Sequence, residues 1–335
     1  MKMMKGNKNN VAVMILLCVA FACSSCKQKH PDNAVAQKQT HQKVQSPVSA
    51  NAQEKEFFLG YNYLTYLNDQ SVERYTNTRH LKMWKKGTKR ASMKEPWELK
   101  CLLDYPTGQN VCDRKIRQWL SKRIWWCVKY SFIGQNDELN GVKFQEISAE
   151  NLTGQQLCDA YFKYIQVFVN SFSDKDIADW NESSTNVPSS TVIFSKVYET
   201  DKICTYFCRL CAYSGGAHGE HMCEFATFDK KTGRQLDCSN IVNSDYYEEL
   251  SMMLADAWKK QKSEEERLET ANSVNGMKYK VAEDDGKLMV DTNVGIIKQG
   301  IIFVYDTYLL GSYADGCFMF LLPRDKAAKY CRLTE

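Results

Sequence analysis

Two alternating runs rich in aromatic and β-branched residues, Lys202–Tyr213 and His221–Asp229, flank the segment Tyr213-Ser-Gly-Gly-Ala-His-Gly219. Period-two alternation sends successive side chains to opposite faces of a strand. Glycine admits the positive φ angles and the close backbone approach that a specialised turn requires. The pattern therefore predicts a long β-hairpin. A second turn, Asp229-Lys-Lys-Thr-Gly233, follows at once. An antiparallel sheet is thus the frame into which the rest of the chain must fit.

Helical periodicity supplies the other layer. Leu157, Ala160, Tyr161, Tyr164, Ile165, Phe168, Val169 and Phe172 recur at i, i+3, i+4 and i+7, which aligns one apolar stripe. Ile116, Trp119, Leu120, Ile124 and Cys127 do the same within Cys112–Tyr130, after a strand at Trp97–Asp104 and the stop Tyr105-Pro106-Thr-Gly108. A third helix is expected from Ser244 to Lys260, with Tyr247, Leu250, Leu254 and Trp258 inward and Asp245 and Glu248 at capping-box spacing. Further strands are expected at Thr191–Tyr198, Leu288–Val290, Gly300–Tyr305 and Cys317–Leu322. The fold class expected is α+β: an antiparallel sheet packed by two or three helices, with a smaller N-terminal α+β subdomain.

The N-terminus carries a targeting pattern. Lys2, Lys5 and Lys8 precede the uncharged apolar run Val11–Ala22, which is too short to span a membrane and has the length of a signal-peptide core. It ends in Ala22-Cys23-Ser24-Ser25-Cys26, similar to a bacterial lipobox, with Cys26 as the expected acylation site and Cys23 as the alternative. Residues 1–25 are read as a lipoprotein signal peptide. Residues 26–54 hold almost no large apolar side chain and are read as a disordered tether. Residues 55–150 form the smaller subdomain and 151–335 the larger one. The expected location is the cell envelope, held to the membrane through the lipid. The formal charge of +4 falls to +1 when three lysines and no acid leave with the leader, so nucleic acid is not an expected partner. A basic stretch, Arg79 to Lys94, reads as a solvated face.

Between the last two strands lies Tyr308-Leu-Leu-Gly-Ser-Tyr-Ala-Asp-Gly316. Together with the glycine-rich turn, this loop resembles the signature of domain of unknown function 3298, the envelope module found in RsiV-type lysozyme-sensing anti-sigma factors and beside some peptidoglycan deacetylases. Leu309 stands where that family has an acid, and Ser312 where it has proline. The resemblance spans Trp97 to Leu322 and implies a smaller companion domain in front. It also implies a non-catalytic recognition role, with a lysozyme-type muramidase or peptidoglycan glycan as ligand. The expected ligand-binding residues are Tyr213, Gly215, Gly216, His218, Tyr308 and Tyr313. A wall-glycan-active enzyme and a structural envelope lipoprotein are the alternatives. The enzyme predicts a cleft holding His218 and a carboxylate of shifted pKa; the binding module predicts an aromatic platform.

The remaining motifs carry little chemistry. Cys204-x3-Cys208-x2-Cys211 has an iron–sulfur spacing, yet on a strand Cys211 points away from the other two. Cys208, Cys211, His218, His221 and Cys223 are potential zinc ligands whose spacing matches no finger pattern, so neither metal nor cofactor is expected. There is no Gly-x-Ser-x-Gly elbow, His-Glu-x-x-His helix or P-loop, and Asp284-Asp285-Gly286 reads as a turn. Acids such as Glu264, Glu265 and Glu266 fall in a polar run and are expected to be solvated. Of 14 cysteines, 12 lie from Cys26 onward, which points to disulfides in an exported chain. If Tyr213 opposes His221, Cys211 faces Cys223, and that is the one specific pairing expected.

Overall fold

A computed structural model describes residues 71–81, 96–133, 138–139, 142–143, 152–170, 172–173, 175, 179, 188–214, 218–261, 288–290, 292–311, 313 and 316–333. The leader, the tether, Cys26, Gly215, Gly216, the basic stretch beyond Leu81 and Glu264–Glu266 lie outside them.

The principal sheet has six strands: β1 (Val72–Leu81), β2 (Trp97–Pro106), β5 (Ser189–Glu199), β6 (Ile203–Tyr213), β7 (Glu220–Asp229) and β8 (Gln235–Leu236), adjacent in that order. All its pairings are antiparallel except β2 with β5, where Glu98 to Leu103 run parallel to Ser189 to Phe194. A two-stranded hairpin joins β3 (Glu138–Leu139) to β4 (Val142–Lys143). A second sheet has β9 (Asn293–Ile297), β10 (Gly300–Tyr305) and β11 (Phe318–Pro323), with β10 central. The principal helices are α1 (Val111–Val128), which continues as a π-turn over Lys129–Ile133, and α2 (Gly154–Asn170). The short α3 (Cys238–Ile241), α4 (Tyr247–Gln261) and the short α5 (Arg324–Ala327) follow. The protein is α+β, as its periodicities require. The boundary expected at 150/151 falls between β4 and α2, and the six-stranded sheet takes strands from both sides of it.

Alternation explains the layering. On β6 the even-numbered Cys204, Tyr206, Cys208, Leu210 and Ala212 join one core with Ile116, Trp119 and Leu120 of α1 and Leu157, Tyr161 and Ile165 of α2. The odd-numbered Phe207 meets Cys223, Phe225, Ile302, Val304 and Met319, so this face packs on the second sheet. The outer face of that second sheet presents Ile301, Phe303, Tyr305, Phe318 and Phe320 to Leu250, Leu254 and Trp258 of α4. Helix, sheet, sheet and helix therefore stack in sequence, and each strand of the second sheet is apolar on both faces.

The two sheets are also pinned by polar contacts. The Asn293 amide accepts from Phe225 N (2.7 Å) and donates to Phe225 O (2.9 Å), as a strand neighbour would. Ile296 N donates to Thr227 Oγ1 (3.2 Å). Between these, Gly295 lies flat on Phe225, where a Cβ would stand 2.8 Å from the ring's Cγ.

Some boundaries differ from expectation. The helix expected from Ser244 opens as a 3-10 turn capped by Asn243, whose side chain accepts from Asp245 N, and Asp245 itself caps nothing there. A reciprocal capping box does occur eight residues earlier, between Asp237 and Asn240. Leu288 makes only an isolated bridge, so Leu288–Val290 is not a strand.

Across β1 and β2, the fully buried Asp104 accepts from Arg74 Nε (2.6 Å) and Nη2 (2.8 Å), and from Lys196 N of β5 (3.0 Å). This carboxylate bridges three strands at the parallel junction. Asp104→Ala is expected to lower urea-unfolding stability by about 2–3 kcal/mol, since it orphans a buried N–H and releases the guanidinium. An unchanged midpoint would deny the bridge its structural role.

Candidate functional site

The hairpin register differs from the expected one by two residues. Cys211 pairs with His221, Arg209 with Cys223, and Ala212 with Glu220. A shift of two preserves which face each side chain takes but changes its opposite number. Cys211 therefore does not face Cys223, and neither is disulfide-bonded; the cross-strand neighbour that Cys211 meets is His221, whose Nδ1 lies 3.3 Å from its sulfur. The cause is the glycine at 219. A Cβ there would strike the Ala212 carbonyl, so only glycine lets the ladder close up to Ala212 and Glu220.

This close approach aims the next side chain. His218 stacks on Tyr313, with ring centroids 4.0 Å apart and planes 18° from parallel. Its Nδ1 lies 3.0 Å from Gly219 O and its Nε2 2.7 Å from the Tyr308 hydroxyl. A carbonyl can only accept, so Nδ1 carries the proton; in the neutral ring Nε2 then accepts from the tyrosine O–H. The Gly219 N–H donates to the Tyr313 hydroxyl, opposing the burial that pushes that phenol's pKa up. His221 tilts against the same Tyr313 ring at 5.2 Å, and burial first, then nearby Arg209, holds its pKa down.

Tyr308 arrives by a strained route. It occupies the turn closed by Leu309 N to Asp306 O (3.0 Å) with φ 70°, alone among the described non-glycine residues in a positive-φ conformation. For a bulky residue that region costs about 1–2 kcal/mol. The ring so placed is 43 % exposed and reaches His218. Strain held at an exposed aromatic is the kind of feature found at ligand-contacting positions.

The platform continues past the hairpin. Glu220 hydrogen-bonds Tyr130, pushed up to about 12 chiefly by burial, and Tyr130 stacks on Trp126 at 4.8 Å. The Arg123 guanidinium lies 5.3 Å over Trp126 and pairs with Glu224 at 2.5 Å. Burial raises the Glu224 carboxyl and Arg123 opposes that rise. Ser214 Oγ donates to Ser131 O (3.3 Å), tying the hairpin end to the π-turn.

Beneath the platform lies a carboxyl not anticipated from the sequence. Asp306 follows β10 directly and accepts from Thr307 N (3.0 Å), Cys317 Sγ (3.1 Å) and the Cys223 N–H. Burial pushes it up to about 8, helped by the Cys317 thiol. A lone acid terminating the apolar run Gly300–Tyr305 was the available signal.

Of the expected binding residues, the structure brings together His218, Tyr308 and Tyr313. Tyr213 ends β6 opposite Ser189, and Gly215 and Gly216 lie outside the described residues. Among the described residues no group of three or more His, Cys, Asp or Glu could hold a metal ion.

Fold and site define an α+β protein of two stacked sheets whose loops gather an imidazole between two tyrosines. Residues 239–325 match the model of the family described as Protein of unknown function (DUF3298). That span contains the tyrosine loop, where the resemblance drawn from Tyr308 to Gly316 is borne out; the glycine-rich turn precedes it. A solved DUF3298 member from Bacteroides fragilis is similar in fold, with a TM-score of 0.52, 17% identity, and coverage of 78% of this chain and 94% of that one. A DUF3298 protein from Pseudomonas aeruginosa PAO1 gives a TM-score of 0.46 at 12% identity, over 78% of this chain and 94% of that one. Comparison with curated proteins finds no match.

Proposed function

We propose that this protein is a lipid-anchored recognition module of the cell envelope, and that it binds wall glycan on the platform made by His218, Tyr308 and Tyr313. The observation that carries the reading is the left-handed, exposed Tyr308 hydrogen-bonded to a histidine that is itself stacked on Tyr313. Sugar rings stack on aromatic faces, and the hydroxyl and imidazole edges supply polar contacts that orient them. The lipobox-like Cys26 and the leader supply the anchor in this reading. A muramidase is the second ligand class, disfavoured because such enzymes are cationic and a mature charge near +1 offers little complementarity.

The raised Asp306 carboxyl favours the enzyme alternative, which asked for a shifted acid beside His218. Its hydrogen bonds run to Cys317, Thr307 and Cys223, however, while those of His218 run to Gly219 and Tyr308. These bonds give acid and imidazole no common side chain, which supports the binding reading over the enzyme.

Calorimetric titration with soluble peptidoglycan fragments should give heat, and Tyr308→Ala or Tyr313→Ala should weaken binding roughly tenfold to thirtyfold. Far-ultraviolet circular dichroism should be unchanged in both variants. Heat with a c-type lysozyme alone would transfer the reading to a protein ligand, and no heat with either would sink it in favour of a structural lipoprotein.

A further inference from the structure

Cys101 on the core face of β2 and Cys158 near the start of α2 hold their sulfurs 3.5 Å apart, with the two residues 1% and 0% exposed. We propose that these two thiols are a disulfide-forming pair that staples α2 to β2. The pair is independent of the recognition platform and rests on three features: the approach, the polarisation of the two sulfurs, and the position of the pair under an edge strand.

The approach is already most of the way to a bond. A disulfide holds its sulfurs about 2.05 Å apart, so closure takes about 1.5 Å of combined movement. The thiols come from elements 57 positions apart in sequence, so the bond would close a long loop.

Polarisation assigns the roles. Cys101 donates its thiol proton to Cys158, and that hydrogen bond, followed by burial, pushes the Cys101 pKa up. Cys158 is held down, first by the bond it receives from Cys101 and further by the Asn77 side chain and the Arg79 cation of β1. Cys158 is therefore the attacking sulfur and Cys101 the resolving one. The oxidant is a disulfide-bearing exchange partner. Cys158 thiolate attacks one sulfur of that disulfide and expels the other as a thiolate, leaving a mixed disulfide. Cys101 then loses its proton, attacks Cys158 Sγ and expels the second thiolate. Two protein thiols have lost two electrons and two protons, and the partner has become two thiols.

Position sets the timing. Of the groups that polarise Cys158, Asn77 and Arg79 come from β1, the edge strand of the sheet, and Arg79 is fixed there by Asp159 and lies 4.7 Å over the Phe162 ring. With both sulfurs enclosed in the closed core, exchange takes place while α2 is still docking on the paired β1 and β2, where Asn77, Arg79 and Cys101 already stand, and the finished bond is sheltered from reductants. A rival exists in the same core, where Cys127 and Cys208 are hydrogen-bonded to each other.

The test is disulfide mapping of the full chain. Reduced and unfolded protein is refolded with oxidised and reduced glutathione, trapped with an alkylating agent in denaturant, and digested without reduction. The expected product is a peptide pair joined through Cys101 and Cys158, with a Tm about 5–10 °C above that of protein refolded in reductant. The Cys101→Ala/Cys158→Ala double variant should show the same Tm in both buffers. Alkylation of both thiols after refolding in glutathione overturns the proposal. So does linkage through Cys127 and Cys208 alone, or a double variant that keeps the full redox-dependent shift.

Discussion

As the pH rises from about 4 to about 8, the protein should lose on the order of 3–5 kcal/mol of stability that an Asp306→Asn variant keeps. Burial beneath the tyrosine loop holds this carboxyl up to about 8, against about 4 in an unfolded chain. Within that window the native state retains a proton that the unfolded state has released, so stability is full below the unfolded value and drains away as the pH climbs through the native one. Glu224, also raised by burial, adds a slope of the same sign. Asp229, Asp237 and Glu249 have lowered values and act oppositely, so their stabilisation is lost on acidification. The decisive quantity is therefore the difference between wild type and variant, measured by urea unfolding at half-unit steps. Parallel curves would mean that Asp306 is ionised and solvated in the native protein.

The other large effect concerns the seam between the sheets. Gly295→Val should cost about 3 kcal/mol or more, because its side chain would occupy the space of Phe225 Cβ and Cγ. The seam has little freedom to yield, since Asn293 and Ile296 fasten the same strand to Phe225 and Thr227 on either side. Gly295→Ala should be milder. Adding Phe225→Ala to Gly295→Val should recover part of the loss, as expected for two residues contesting one volume. Thermal unfolding of the wild type, the two Gly295 variants, Phe225→Ala and the double variant checks this, and strict additivity would show that the seam relaxes freely.

The parts of the fold legible in the sequence were those with a strong apolar period. The α2 stripe, the α1 repeat and the inward residues of α4 all appear where their spacing put them. Strand β1 escaped because it is an edge: Val72–Leu81 is mostly polar and half or fully exposed, so it has no apolar alternation to display. Strand β9 escaped because five residues interrupted by Gly295 give too short a pattern. The hairpin strands were legible but their register was not, because it depends on how closely Gly219 approaches Ala212, and spacing alone does not encode that. The same holds for the site. The rings of His218, Tyr308 and Tyr313 could be named from two loops, while the partnership of Cys211 with His221 and the enclosure of Asp306 arise from packing between segments far apart in the chain.

The parallel junction of β2 with β5 imposes an order on synthesis. Strand β2 leaves the ribosome with β1 as its only partner, and its other edge must wait until everything from Thr107 to Pro188 has been translated. At 5–20 residues per second that delay is on the order of ten seconds. Throughout it, the nascent chain presents an unpaired row of N–H and C=O groups beside Trp97, Leu99 and Leu103, a template for any extended segment that comes near. Helices α1 and α2, made during the delay, can shield the apolar face but not the open edge, so a chain stalled before Ser189 is the species most in need of a chaperone.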